Sequence, residues 1–460
     1  MKASRPAAWG ARELAWRVLE SIEKTQARLE VALNLALSQA ELSRRDQALA
    51  SELVYGTCRW QGLLDHVLAL CAKRPLDNLS PGVLNLLRLG AYQLLRLERV
   101  PASAAVHSSV ELAKARLGPK AAGFVNAVLR RVAERAGEGQ AGLSLPDPEA
   151  DLAGHLAAAQ SHPRWLVERW LTELGREEAA ALLAANNQPP ELILRVNPLA
   201  LDRDDFLARL QAAGFQASAG RFSPQAVAVK RASLADLEAL APGAFSAQGE
   251  AAQLVCLALD PRPGWRVLDA CAGAGGKTTH LAELMSDQGE VIGLDIDGQR
   301  LEVGRRLAEK LKLGSPRFYQ ADATGPWPQL LGEPFFDAVL VDTPCTGLGV
   351  LRSRPDRRWR LGPDDPARLA RFQDHLLAAA AKRVKSAGVL VYATCTLTAE
   401  ENQGAAARFL AAHPDFQVED LSFFLPRPAR HLVSADGFFQ SWPHRHHLDG
   451  FFIARFKRSF

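Results

Sequence analysis

From about residue 260 onward, short runs of aliphatic residues alternate with longer stretches of helical apolar spacing. This alternation restricts the fold more than any other feature of the chain. Strands are predicted at Arg266–Asp269, Glu290–Asp295, Arg317–Gln320, Asp337–Asp342 and Gly388–Tyr392, with a last one at Gly450–Phe456. Helices are predicted at Thr278–Ser286, Gln299–Leu311, Pro366–Val384 and Ala399–His413. Strands separated by helices imply a mostly parallel open sheet covered on both faces. Such a sheet binds ligands in a crevice beyond the carboxyl ends of its strands.

The first of these strands runs into Ala270-Cys-Ala-Gly-Ala-Gly-Gly-Lys-Thr278. Glycines at 273, 275 and 276 allow a sharp turn and close approach to a ligand before the helix begins. The next strand ends in Asp295, where a carboxylate can take both hydroxyls of a ribose. Asp322, after the third strand, can meet an adenine edge. Together these features point to an adenosine cofactor. NAD would call for GxGxxG, and the loop does not provide it. ATP would call for GxxxxGK[ST], but Cys271 occupies the place of its first glycine. S-adenosylmethionine carries no phosphate and needs neither pattern. A phosphate-cradling Lys277 and a purely structural glycine turn remain as competing readings.

Asp342-Thr-Pro-Cys-Thr-Gly-Leu-Gly349 closes the fourth strand and Tyr392-Ala-Thr-Cys-Thr-Leu397 the fifth. Neighbouring strand tips share the cofactor crevice, so Cys345 and Cys395 are expected to face one pocket. Inert core packing and a redox disulfide are the alternatives. The six cysteines include no CxxC pair, which argues against zinc. They are too few in a chain of 460 residues for a disulfide scaffold, so free thiols in a cytoplasmic protein are expected. No apolar run is long enough to cross a membrane, and Met1–Pro6 leads into no signal-peptide core.

Upstream, residues 8 to about 135 read as all-helical, with Leu14, Val18, Leu19 and Ile22 on one face. Residues 1–140 hold 20 Lys and Arg against 13 Asp and Glu, a local excess of +7 in a chain of net charge +4. That excess suits a polyanion, or else reflects ordinary solvated helix faces. A Gly- and Pro-rich stretch from Ala136 to Pro148 reads as a linker. Residues 160–245 mix helices with short strands, such as Leu192–Val196, in a small α+β unit. The run His444-Arg-His-His447 reads as a polar loop that contacts phosphate rather than as a metal site.

The motifs taken together closely resemble the Nop2/Sun (RsmB/RsmF) family of RNA cytosine-C5 methyltransferases. The family's DxCAAPGGKT appears as Asp269–Thr278, its DAPCSGLG as Asp342–Gly349 and its STCS as Ala393–Thr396. Arg354-Pro-Asp-Arg-Arg-Trp359, Glu401-Asn402 and Asp449-Gly-Phe-Phe452 also match. The resemblance covers about 185 to 460. Departures are Gly273-Ala274 for Ala-Pro, Thr343 for Ala and Ala393 for Ser. The N-terminal part resembles the NusB-type fold through Glu52-Leu-Val-Tyr-Gly56, Leu87–Gln93, Val100-Pro101, Val106 and Asn126–Arg130. The pairing of the two resembles the RsmB-type (Fmu/Sun) branch, which acts on 16S, small-subunit ribosomal RNA.

The resemblance implies three domains: an all-α NusB-like RNA-binding domain (1–140), an RRM-like α+β subdomain (160–245) and an α/β Rossmann-like methyltransferase domain (246–460). It implies Cys395 as nucleophile and Cys345 as the residue that assists release, with Asp342 and Lys277 completing the catalytic set. Cofactor contacts fall on Cys271, Ala272, Gly273, Ala274, Gly275, Gly276 and Lys277, with Asp295, Asp322 and Asp342. The chemistry gives a thiol its purpose. C5 of cytosine is a weak nucleophile until a thiolate adds at C6, and a group at N3 must meet the charge that develops, for which Asp342 is suited if protonated or sharing a proton. The expected cofactor is S-adenosylmethionine and the expected partner ribosomal RNA before assembly into the mature particle, met by a monomer without metal or membrane. A tRNA-directed C5 methyltransferase and a non-catalytic NusB-like RNA-binding factor are the rival readings.

Overall fold

The computed structural model describes residues 10–325 and 335–459, so the reading of Met1–Pro6 lies outside the described residues. The chain divides into two units, residues 1–188 with 354–360, and 189–353 with 361–460.

The first unit is helical. Its elements are α1 (Ala11–Thr25), α2 (Leu29–Gln39), α3 (Arg44–Cys71), α4 (Pro81–Arg96), α5 (Ala102–Leu117), α6 (Pro119–Gly137), α7 (Gln140–Leu143), α8 (Leu152–Ala159), α9 (Arg164–Leu174) and α10 (Arg176–Asn186). The apolar stripe of α1 packs against α2, α3 and α4 in a core that includes Leu14, Leu53, Leu87 and Leu129, all fully buried. Local chemistry sets the boundaries. Ser43 caps α3 by accepting from the Asp46 amide, and Pro81 and Pro119 occupy the first position of their helices. Gly56 lets α3 close on α4, because a Cβ there would fall 2.0 Å from the ring of Tyr92. The Gly- and Pro-rich stretch expected as a linker is instead a fixed return. Arg135 donates from Nη1 to Gly142 O and Ser144 Oγ, each at 3.1 Å. The sequence signal was composition alone, and composition does not reveal this anchor.

The segment 354–360 leaves the second unit and ends in the first. Arg358 is fully buried there and donates to Ser161 O (2.9 Å), Asn187 Oδ1 (2.8 Å) and Asn186 O (3.2 Å). Burial lowers its guanidinium to about 9. Trp359 donates to Cys58 O at 2.8 Å. This motif is therefore an anchor within the helical unit.

The second unit opens with β1 (Leu192–Val196), α11 (Arg203–Ala212), β2 (Gln216–Ala219), β3 (Ala226–Lys230), α12 (Leu234–Leu240) and β4 (Phe245–Ala247). The order β2-β3-β1-β4, all antiparallel, is ferredoxin-like. Phe206 and Phe245 stack with each other inside its core.

There follow α13 (Glu250–Leu259), β5 (Arg266–Asp269), α14 (Gly276–Leu284), β6 (Glu290–Asp295), α15 (Gly298–Lys310), β7 (Pro316–Gln320), β8 (Phe336–Asp342), α16 (Asp365–Ala381), β9 (Val384–Thr394), α17 (Gln403–Ala412), β10 (Phe416–Glu419), β11 (Phe439–Gln440), α18 (Pro443–His446) and β12 (Phe452–Arg458). The sheet order is β10-β12-β9-β8-β5-β6-β7, with β11 beside β12. The five strands from β9 to β7 are parallel, and β12 is inserted antiparallel. Strand order reverses between β5 and β8, so the crevice opens at their carboxyl tips.

Arg195 on β1 ties the small sheet to this crevice. It is fully buried and donates to Glu283 Oε1 (2.8 Å), Thr279 Oγ1 (3.1 Å) and Gly276 O (2.6 Å), all on α14, and to Gln248 Oε1 (2.6 Å). Removing one partner of such a pair strands a buried charge. Arg195→Met is expected to destabilise the second unit by ~3–5 kcal/mol. Urea unfolding followed by tryptophan fluorescence checks this, and a loss within experimental error would show that Glu283 is solvated in another way.

Candidate active site

The loop between β5 and α14 is shaped by left-handed glycines at 273 (φ +56°) and 275 (φ +76°). A Cβ on Gly275 would lie 2.7 Å from the Cα of Gly304, so glycine here lets α15 pass the loop. The Gly273 amide donates to Asp295 Oδ2 at 2.8 Å, and Ala272 N donates to Leu294 O at 2.7 Å. Asp295 also accepts from the Asp297 amide (2.9 Å) and pairs with Arg300 (3.2 Å). The acid expected at a ribose thus also holds the glycine loop against the tip of β6. Asp322, beyond β7, is exposed, and it accepts from the Thr324 amide and hydroxyl at 2.8 and 2.7 Å, which lower its pKa. Burial, then the charges of Asp269, Asp342 and Asp295, push the Cys271 thiol well up, so Cys271 stays protonated. It serves the loop as a small apolar side chain.

Lys277 does not point into a phosphate cradle. Its Nζ lies 2.5 Å from Asp342 Oδ2 at the tip of β8. Burial alone would lower the lysine, but Asp342 more than offsets this, and the net shift is upward. Lys277 thus keeps its proton as the partner of Asp342 at the tip of β8.

The two cysteines meet through strand register. β8 and β9 run parallel with Asp342 opposite Ala393, so the loops that follow leave side by side. Cys345 Sγ and Cys395 Sγ are 3.3 Å apart, both as free thiols. Cys345 is buried and Cys395 half-buried. The Gly349 amide donates to Cys395 O (3.0 Å), and the Gly450 amide donates to Gly349 O (2.8 Å). The closing Asp449–Phe452 motif is thereby stitched to the cysteine loops. A Cβ on Gly349 would lie 2.0 Å from Gly450 O, so this contact needs glycine.

Sequence reasoning assigned no role to the residue that organises these loops. Glu401 is fully buried, and its carboxylate accepts from Thr346 N (2.8 Å), Thr346 Oγ1 (2.6 Å), Thr398 Oγ1 (2.7 Å) and Gln373 Nε2 (3.0 Å). Gln373 also donates to Pro344 O at 3.0 Å, and the Tyr392 hydroxyl donates to Glu401 O at 2.6 Å. Asn402 accepts from Thr394 Oγ1 (2.6 Å) and donates to Thr396 O (3.1 Å). Glu401 thus fixes Thr346 beside Cys345, while Gln373 and Asn402 hold Pro344, Thr394 and Thr396 on the remaining sides of the two cysteines. The signal available in sequence was Glu401-Asn402 directly after the second cysteine strand.

The run 444–447 forms one turn of helix in α18 rather than a loop. His446 Nδ1 accepts from the Trp442 amide at 2.9 Å, and burial, reinforced by His431 and Arg445, holds its pKa near 4. Among the described residues no cluster of metal-ligating side chains is found, and no helix is long and apolar enough to cross a membrane.

An open sheet with this strand order, a glycine loop and an acid at the next strand tip define a Rossmann-like methyltransferase. Comparison with known proteins narrows the class. Residues 256–457 match the model for 16S rRNA methyltransferase RsmB/F, residues 10–134 the NusB family and residues 162–235 the RsmF/B-like ferredoxin-like domain. Ribosomal RNA small subunit methyltransferase B of Thermus thermophilus is 37% identical, covering 97% of each chain. Its counterpart in Pseudomonas putida is 36% identical, over 89% of this chain and 90% of that one. The crystal structure of PH0851 covers both chains completely, with a TM-score of 0.82 at 26% identity. The chain belongs to the RsmB family of ribosomal RNA small subunit methyltransferases.

One acid near the loop carries a pH signature. Asp269 is buried, its Oδ2 accepts from Thr278 Oγ1 at 2.7 Å, and its Oδ1 has no partner. Burial pushes the carboxyl up to about 6. Unfolded, it loses its proton near pH 4, so between about 4 and 6 the folded state holds a proton that the unfolded state has lost. This group's contribution is therefore most favourable at low pH and weakens by roughly 3 kcal/mol as pH rises through that window. Asp269→Asn is expected to remove that slope. The check is the difference between the pH profiles of the two urea midpoints. A flat difference would show that Asp269 is hydrated in solution.

Proposed function

We propose that the chain transfers a methyl group from S-adenosylmethionine to C5 of a cytosine in 16S ribosomal RNA through a covalent bond between Cys395 and C6. The observation that carries this reading is the pair of free thiols 3.3 Å apart at adjacent strand tips, with the Lys277–Asp342 pair on the tip of β8. The residues fit the cofactor: left-handed glycines open the loop backbone, Gly276 presents no side chain, and Asp295 and Asp322 stand after successive strands. Cys271–Lys277, Asp295, Asp322 and Asp342 would hold it. When bound, the cofactor supplies an electrophilic methyl group on a sulfonium.

The rest of the chemistry falls to the protein's own side chains. The Cys395 thiolate adds to C6 and makes C5 nucleophilic. The ammonium of Lys277, held by Asp342, is the donor that stabilises charge developing at N3. After C5 is methylated, its proton must leave so that Cys395 can depart, and Cys345, in contact with that sulfur, assists this elimination. The network around Glu401 holds both sulfurs in place, which favours an orderly exchange of roles. The target base must be single-stranded or flipped out to enter the crevice.

The domain roles proposed are RNA binding by residues 1–140, an RRM-like subdomain at 160–245 and catalysis by 246–460. The enzyme works as a cytoplasmic monomer on rRNA not yet assembled into the mature particle. A tRNA target has no specific observation in its favour. The intact Cys345, Cys395, Lys277 and Asp342 constellation weighs against a non-catalytic role.

Asp295→Ala is expected to weaken S-adenosylmethionine binding by roughly 1.5–3 kcal/mol, the range for a charge-assisted hydrogen bond, and to leave RNA binding nearly unchanged. Calorimetric titration of each ligand checks this, and unchanged cofactor affinity would remove Asp295 from the site. The cysteines are expected to behave asymmetrically. Cys395→Ala should abolish methyl transfer without forming an adduct. Cys345→Ala should attack and methylate yet fail to release, so that a protein–RNA species accumulates and survives denaturing electrophoresis. If Cys395→Ala traps RNA and Cys345→Ala does not, the roles are reversed. If neither changes turnover, the covalent route is wrong.

A further inference from the structure

We infer that the hydroxyls of Thr346 and Thr396 form a bridge that sets the spacing of the two cysteine sulfurs, which makes both threonines positioning residues for the covalent step. This rests on the proposed covalent route, and it assigns the geometry of that route to two side chains. Each threonine directly follows a cysteine, Thr346 after Cys345 and Thr396 after Cys395. Both are fully buried. Their Oγ1 atoms lie 2.5 Å apart, although the residues are 50 positions apart in the chain. The direction of the bridge follows from counting protons. A threonine hydroxyl has one proton to donate and two lone pairs. Thr346 donates its proton to Glu401 Oε2 at 2.6 Å. The proton between the two hydroxyls therefore belongs to Thr396, and Thr346 accepts it. The chain of bonds runs from Thr396 through Thr346 to Glu401, whose Oε2 also accepts from Thr398. A hydroxyl that accepts while it donates is polarised by both partners, which strengthens each bond.

The bridge adds a tie from loop to loop. Glu401 reaches the Cys345 side through the amide and hydroxyl of Thr346. On the Cys395 side, Asn402 accepts from Thr394 and donates to Thr396 O. Those bonds hold each loop to residues 401 and 402. The Thr396–Thr346 bond joins the two loops to each other, one residue beyond each sulfur. The thiols touch at 3.3 Å, and that contact must open when Cys395 turns to C6. The sulfurs then no longer locate each other, whereas the buried bridge stays closed and keeps the loops in place. Valine would put a methyl where the hydroxyl stands, and serine would keep the hydroxyl and lose only a methyl.

The test uses the full-length protein, S-adenosylmethionine and 16S ribosomal RNA transcribed in vitro. Thr396→Val is the cleaner variant, because Thr346 keeps its bond to Glu401 and no buried donor is stranded. It is expected to lower the single-turnover rate of methyl transfer by ~10–100-fold, the scale of a misplaced reacting group. KM for S-adenosylmethionine should stay within about twofold, since cofactor binding does not use the bridge. In a Cys345→Ala background the trapped RNA adduct should accumulate more slowly by the same factor. Thr396→Ser should restore the rate, whereas a role in packing alone would leave serine as slow as valine. Thr346→Val/Thr396→Val should be no slower than Thr346→Val alone, because both lack the same bond. If Thr346→Val does not fold, the valine and serine variants at 396 decide without it. A second measurement needs neither RNA nor cofactor. Dibromobimane fluoresces only when thiols have displaced both of its bromides. It should link Cys345 to Cys395 at similar rates in wild type and Thr396→Ser, and several-fold more slowly in Thr396→Val. If Cys345→Ala traps RNA and Thr396→Val transfers methyl at the wild-type rate, the bridge is overturned. Equal losses in Thr396→Ser and Thr396→Val, or additive losses in the double variant, also overturn it. If Cys345→Ala traps no RNA but Thr396→Val still slows the linking, the covalent route falls and the spacing role stands. If it traps none and the linking is unchanged, both fall.

Discussion

The site depends on one parallel strand pairing. β8 and β9 align Asp342 with Ala393, and the geometry of the candidate site follows from that register. It places the loop bearing Cys345 beside the loop bearing Cys395 and sets Asp342 within reach of Lys277 on α14. A shift of one residue along a strand would turn each of these side chains to the opposite face of the sheet. The pairing is protected by burial, since Val339, Leu340, Val341, Leu390, Val391 and Tyr392 are all fully buried between the helical layers.

Register brings the two loops together but does not hold their backbones, and Glu401 does. A buried carboxylate with no cation beside it is unfavourable unless its acceptor sites are filled. Here four donors fill them, and two of the four come from Thr346, directly after Cys345. The cost of burying the charge is thus offset by bonds that also fix the thiols. The tight contact of Gly349 with Gly450 adds the C-terminal strand to the same assembly.

The ferredoxin-like subdomain serves the site through Arg195. By donating to Gly276 O and pairing with Glu283, it fixes the start of α14 and so the end of the glycine loop. Within the helical unit, the segment 354–360 is anchored by Arg358 and Trp359.

Local sequence determined the elements. Periodicity located five parallel strands and the helices between them to within a few residues, but it missed the helix α13 as well as β10, β11 and α18, the last three too brief to show a pattern. The glycine loop, the acids at strand tips and the two Thr-Cys or Pro-Cys turns were legible because each sits at a fixed offset from a strand end. Tertiary structure decided the rest. That Lys277 turns to Asp342 depends on a residue 65 positions away, and that Glu401 binds Thr346 on one 55 away. The Gly- and Pro-rich return after α6, the neutral His446 and the buried Arg358 were likewise invisible, because composition records the residue and not its partner. Hydrogen bonds and ion pairs of this range are specified by how whole elements pack, and no window along the chain contains both ends of them.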